Sequence, residues 1–189
     1  MSELQTKYQK AIKFAAKKHA DKNQLIPGTN LPYVVHLSNV AMEILIAAEK
    51  TDKFNSEFAV QVALLHDILE DTATTFDEIA DEFGKEIAQA VIALTKNSKI
   101  DNEERMSDSL NRIKELPKEV WAVKLADRIT NLQPPPEHWS FEKITAYQKQ
   151  AVLIHTSLKG GNEYLENRLW EKILDYLKYC TTDIKQAKY

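Results

Sequence analysis

Four ionisable side chains fall within the stretch ALLHDILEDT, residues 63–72: His66, Asp67, Glu70 and Asp71. An imidazole beside a carboxylate can share a divalent cation, and carboxylates one turn further on can orient a water and take its proton. The spacing therefore suits hydrolysis assisted by a metal. Their neighbours are apolar, and an unpaired charge buried among apolar groups costs several kcal/mol, so a partner is required. On a helix that advances about 100° per residue the four share one arc, opposite Val62, Leu65, Ile68 and Leu69. Ala59 and Ala63 lie on the same arc, where small side chains are expected to leave room for an ion or a phosphate.

A second acid is set in an apolar stripe. In EVWAVKLADRITNL, Val120, Val123, Asp127 and Asn131 follow one helical face, so the register that buries the valines also buries Asp127. His36 lies one turn before Val40 on another mainly apolar segment. His36, His66, Asp67 and Asp127 together would form a mixed nitrogen and oxygen donor set, suited to Mn²⁺, Fe²⁺, Co²⁺ or Zn²⁺ rather than Ca²⁺. Each residue also has a structural explanation. His36 could be a hydrogen-bonded core or capping histidine, Asp127 could pair with Lys124 or Arg128, and Glu70 and Asp71 could face solvent at a helix end. The adjacent His66 and Asp67 favour the metal, because the structural account leaves them and the later acidic pair without a purpose. His19, His138 and His155 read as structural or surface groups.

The elements that must position these residues read as helices. Tyr8, Ile12, Ala15 and His19 recur at helical spacing up to about Ala20, and DKNQLIPGTNLP interrupts the pattern. Asn30 is the expected cap of VVHLSNVAMEILIAAE, with Pro32 in its first turn. A helix is expected over 56–70. Thr74 and Thr75 are candidate caps for a short helix ended by Gly84, and KEIAQAVIALTK begins the next. NSKIDNEER reads as a polar connection, and residues 102–115 as a largely polar, exposed helix. Pro117 starts the helix that carries Asp127, and Pro134, Pro135 and Pro136 stop it. Two further helices are divided by Gly160 and Gly161, with Leu165, Leu169, Ile173 and Leu177 as the inner stripe of the last.

Composition narrows the class. A chain of 189 residues, 43% hydrophobic and 28% charged, suits one domain with a full core, and 4 Gly and 6 Pro leave little material for turn-rich β architecture. The expectation is an all-α, single-domain protein. A net charge of −3 argues against a nucleic-acid partner and for a small-molecule ligand. No signal peptide or membrane span is apparent, which points to the cytoplasm. Cys180 is the one cysteine, so a metal must be held by histidines and carboxylates.

The pattern H…HD…D formed by His36, His66-Asp67 and Asp127 resembles the signature of the HD-domain metal-dependent phosphohydrolases. More closely, PYVVH, ALLHDILEDT, TTFDEIADEFGKEIAQAVIALTK and VKLADRITNL resemble the hydrolase domain of RelA/SpoT proteins and the stand-alone small alarmone hydrolases. The resemblance covers most of the chain. It implies a helical HD-domain bundle with its metal and catalytic core over about 30–135 and C-terminal helices over about 140–186. It further implies one Mn²⁺ on His36, His66, Asp67 and Asp127, water activation by Glu70 and Asp71, and a nucleotide contact from Asn131. Lys96, Lys124 and Arg128 are candidate phosphate contacts on grounds of charge.

The implied reaction removes the 3′-pyrophosphate from guanosine tetra- or pentaphosphate, with no length left for the synthetase and regulatory domains of the long proteins. Two departures concern the nucleotide. The family's basic pair between His19 and Tyr33 is replaced by Asn23, Gln24 and Leu25 with no Arg, and Leu132-Gln133-Pro134 stands where Met-Arg-Thr often follows Asn131. An HD phosphohydrolase for another nucleotide is the competing enzyme reading. A noncatalytic nucleotide-binding regulator is the other, and it would have no need of Glu70 and Asp71.

Overall fold

The computed structural model describes residues 3–181. Among these the regular structure is all helical, apart from one isolated antiparallel bridge between Leu25 and Pro32. Helix α1 spans Glu3–Ala20, α2 Val34–Glu49, α3 Ser56–Leu65, α4 Ile68–Asp71 and α5 Phe76–Phe83. Then follow α6 (Lys85–Leu94), α7 (Arg105–Lys114), α8 (Lys118–Asn131), α9 (Phe141–Ser157) and α10 (Glu163–Tyr176), with a 3₁₀ turn over Leu177–Tyr179.

The centre of the bundle is α3, where every residue from Ala59 to Leu65 is buried. A helix apolar on all sides must be covered on all sides. Helices α1, α2, α6 and α8 pack around it. Asn55 caps it by accepting from the Phe58 N–H, as Thr75 caps α5 through Glu78. Gly84, at φ 95°, ends α5 and starts α6, a conformation that a side chain would resist. Between α2 and α10, Arg168 donates from Nε and Nη2 to the two oxygens of Glu43, each at 2.6 Å. This bidentate pair braces the helix that carries His36.

Several expectations need correction. The helix expected over 56–70 is broken after Leu65 by a turn at His66 and Asp67, and resumes as the short α4. The single wheel drawn through the four polar residues therefore does not exist. Ala59 and Ala63 belong to the core and leave no space for an ion. Helix α2 is preceded by Tyr33 rather than capped by Asn30, and Pro32 lies in the bridge to Leu25 instead of the first turn. Helix α7 starts at Arg105 and buries Met106, Ser109, Leu110 and Ile113, so its face toward α6 is apolar where a largely exposed helix was expected. Tyr176 replaces Leu177 in the inner stripe of α10, and Leu177, 42% exposed, has left the helix. Of the C-terminal helices expected to 186, residues 182–186 lie outside the described residues.

Glu43 is nearly buried, so removing its partner strands a carboxylate in the core. Arg168→Met should lower unfolding free energy by about 1–3 kcal/mol, the smaller end of the range for broken ion pairs because Arg168 keeps contact with water. The double variant with Glu43→Gln should recover part of that loss. Urea unfolding of the single and double variants measures both.

Candidate metal centre and active site

Three separate elements bring four ligating side chains together. His36 comes from the first turn of α2, His66 and Asp67 from the turn between α3 and α4, and Asp127 from the inner face of α8. One donor atom of each lies within 4.8 Å of all the others. The Nε2 atoms of His36 and His66 are 3.4 Å apart, and Asp127 Oδ1 is 3.5 Å from each of them. Asp67 Oδ2 is 2.9 Å from His66 Nε2 and 3.7 Å from His36 Nε2. Donors bound at about 2.1 Å and set about 90–110° apart would be separated by roughly 3.0–3.5 Å. The cluster therefore fits a divalent transition-metal ion with little rearrangement.

The surroundings aim the ligands. His66 Nδ1 donates to the Ala63 carbonyl at 2.7 Å, which leaves Nε2 to face the cluster. The Tyr33 hydroxyl donates to Asp67 Oδ2, and burial together with Asp67 keeps that phenol protonated far above its ordinary range. Lys124 Nζ donates to Asp127 Oδ2 at 3.0 Å, and Asn131 Nδ2 donates to Oδ1 at 2.6 Å. Burial alone would raise the Asp67 and Asp127 carboxyls, but neighbouring cations and imidazoles outweigh it and hold both well below the carboxylate range. Burial would likewise lower His66, yet the two carboxylates hold its imidazole charged well above the usual range. In the absence of a metal, protons carry the compensating charge.

Glu70 and Asp71 stand beside the cluster, not in it. Glu70 is exposed and is gripped by Lys96, whose Nζ donates at 2.7 Å and whose backbone N–H donates at 3.1 Å. Asp71 is half-buried, and its Oδ2 accepts from Gln24 Nε2 at 2.8 Å. Burial raises the Asp71 carboxyl against the opposing hydrogen bond from Gln24.

These groups line a cavity of about 330 Å³ that also receives Lys96, Lys124, Arg128 and Asn131. All of the site residues read from the sequence thus converge, but in altered roles. Lys124 is buried against Asp127 and Lys96 is engaged with Glu70. Arg128, 4% exposed, donates from Nη2 to Gln150 at 2.7 Å and lies over the Tyr147 ring at 4.3 Å. Its Nε and Nη1 have no hydrogen-bond partner among the described residues.

Sequence reasoning missed Tyr33, Gln24, Tyr147 and Gln150. Tyr33 precedes the His36 helix and was available as a polar aromatic near a ligand. Tyr147 and Gln150 carried no local signal, since only tertiary packing brings α9 to the cavity. A second cleft of about 410 Å³ adjoins the first, with Ile26, Pro27, Pro134, Pro135 and Trp139 on its walls.

Comparison with known proteins follows the same lines. The HD domain family matches residues 11–161. A zebrafish (Danio rerio) protein named guanosine-3′,5′-bis(diphosphate) 3′-pyrophosphohydrolase MESH1 is 32% identical over 169 residues, covering 87% of this chain and 91% of its own. The Homo sapiens protein of the same name is 34% identical over 164 residues, covering 84% and 88%. A solved structure described as a metazoan ortholog of SpoT that hydrolyzes ppGpp and plays a role in starvation responses superposes with a TM-score of 0.76 at 28% identity, over 89% of this chain and 94% of the other. With the ligand cluster in place and the match extending across most of its length, the chain belongs to the HD-domain family.

Proposed function

We propose that the protein is a metal-dependent 3′-pyrophosphohydrolase of guanosine tetra- and pentaphosphate-type nucleotides, working in the cytoplasm with Mn²⁺ on His36, His66, Asp67 and Asp127. The observation that carries this reading is the position of the four-residue cluster at a cavity, lined by His36, Asp67 and Asp127, that also holds an acidic pair and Arg128. The names of its relatives support the substrate. We further propose that residues 1–189 form one HD domain.

A divalent ion held there would supply Lewis acidity toward a phosphoryl oxygen and lower the pKa of water. Asp71, with Oδ2 tied to Gln24, keeps Oδ1 for a water and accepts its proton. Glu70 helps hold the water, and its ion pair with Lys96 brings a cation to the edge of the site. The water oxygen bonds to the ribose-linked phosphorus, the bond from phosphorus to O3′ breaks, and the 3′-oxygen leaves as a hydroxyl after gaining a proton. Pyrophosphate is the other product. Arg128 brings a buried positive charge to the cavity wall, held in place by Gln150 and Tyr147, that favours a phosphate there, and Asn131 can reach the nucleotide from the shared wall of the two clefts. The apolar cleft accepts the nucleoside, with Trp139 and the prolines against the base.

Metal removal should reveal itself through pH. The raised His66 pKa adds stability to the metal-free protein at and below the ordinary imidazole range, and that contribution is lost as pH rises through the raised value. The lowered Asp67 and Asp127 values add stability above the ordinary carboxylate range, lost as pH falls. A cation must displace the His66 proton, so affinity strengthens with pH. The gain in Tm on adding Mn²⁺ to chelator-treated protein should be larger at about pH 8 than at about pH 6. An equal gain at both would contradict His66 as a ligand, and elemental analysis of Asp67→Ala should find little metal.

Asp71→Asn and Glu70→Gln should retain the metal and lose on the order of 10²-fold in kcat against guanosine tetraphosphate, with pyrophosphate as the detected product. Release of single phosphates, or rapid cleavage of a 5′-monophosphate instead, would transfer the site to another HD phosphohydrolase activity.

Base selection should be broad. Among the described residues the cleft walls supply no cation to stack on the base, an interaction worth about 0.5–2 kcal/mol. The kcat/KM ratio between guanine and adenine 3′-pyrophosphate nucleotides should stay below about tenfold, and Ile26→Arg should raise it. Gln24 is not the position for that substitution, because its side chain turns inward to Asp71.

A further inference from the structure

Gln24 touches neither a metal ligand side chain nor a proposed phosphate contact, yet it is fixed on every polar atom. Its N–H donates to the His19 carbonyl at 3.1 Å, and its own carbonyl accepts from the Tyr33 N–H at 3.1 Å. Its side-chain Nε2 donates to Asp71 Oδ2 at 2.8 Å, while Oε1 lies 2.6 Å from His19 Nδ1. A carboxylate can only accept, so the amide must direct its nitrogen to Asp71 and its oxygen to His19, whose Nδ1 then carries the hydrogen. His19 is 1% exposed and packs on the Tyr33 ring with centroids 4.9 Å apart, so packing holds the imidazole that holds the amide. Asn23, in the left-handed region at φ 51°, makes the turn after α1 that returns Gln24 to His19.

We infer that Gln24 is a positioning residue, buttressed by His19, that orients the Asp71 carboxylate for water activation. The inference rests on the role given to Asp71 under the proposed function. Asp71 needs such a tether. It is the last residue of a four-residue helix, with Asp67 and Glu70 as near acidic neighbours whose charges favour its swinging away. A neutral amide restrains Oδ2 without introducing a cation that would lower the basicity of the carboxylate, and Oδ1 stays free. Through its backbone the same residue receives Tyr33, whose hydroxyl bonds the ligand Asp67. The loop thereby sets the acid and the metal ligand in one frame, where a displacement of about 1 Å can cost on the order of 10²-fold in rate.

Gln24→Glu is nearly isosteric, keeps the acceptor for His19 and replaces the donor to Asp71 with a like charge. Gln24→Leu removes both bonds. Steady-state kinetics with guanosine tetraphosphate and Mn²⁺ should show kcat reduced about 10- to 100-fold in each variant, KM within about twofold and bound metal unchanged. In an Asp71→Asn background either substitution should add little further loss, because Gln24 acts through that carboxylate. Unchanged kcat, losses that multiply in full with Asp71→Asn, loss of metal, or a change confined to KM would each overturn the inference. Should Gln24→Leu fail to fold, Gln24→Glu decides. Full turnover in Asp71→Asn alone would remove the proposed role of Asp71 and this inference with it, whereas a disabled Asp71→Asn beside an unaffected Gln24→Glu would remove this inference only.

Discussion

Two carboxylates and two imidazoles share a space from which water is largely excluded, and the fold is arranged around that requirement. Asp67 and Asp127 would repel each other strongly if both were ionised without a cation, since Coulomb energies grow as the effective dielectric falls. The structure balances them with Lys124, with hydrogen bonds from Tyr33 and Asn131, and with the imidazole of His66. The balance requires α2, α8 and the end of α3 to meet at fixed distances. It explains why α3 is buried on every side and why α2 is braced from behind by Arg168.

The break in the central helix is the local device that makes this possible. His66 and Asp67 keep right-handed helical backbone angles there, and only the regular helix is interrupted between Leu65 and Ile68. The turn presents His66 and Asp67 to the same point and sets Glu70 and Asp71 on a separate stub. Ligands and acids are thus neighbours in the chain but distinct in position. One short stretch can then serve both metal retention and the proposed proton transfer.

The residues of the four-residue cluster, the nearby acidic pair and the all-α fold were legible because each leaves a mark within a few residues: an acid in an apolar stripe, an adjacent His-Asp, few glycines and prolines. The helix break was not legible, because ILED after HD has good helical character and the turn is dictated by where His66 must point. Arg128 could be singled out for its charge, but its unsatisfied donors depend on Gln150 and Tyr147, more than a dozen residues away in sequence. Gln24 read as a missing basic residue, since sequence shows what a position lacks in comparison with others and not which way its side chain turns. The buried face of α7 was hidden by the many polar residues that surround Met106, Leu110 and Ile113.

Much of the wall of the apolar cleft comes from loops rather than from packed helices. Ile26 and Pro27 belong to the loop before α2, and Pro134 and Pro135 to the proline run after α8, while the ligands sit within or between packed helices. Ile26, Pro134 and Pro135 make no bond to the ligand cluster, whereas Gln24 and Tyr33, in the same loop as Ile26, are tied to Asp71 and Asp67 and are not free to change. The ancestry of such a protein can therefore explore new nucleosides one loop residue at a time while its hydrolytic apparatus stays intact, so that drift in specificity is far cheaper than drift in chemistry.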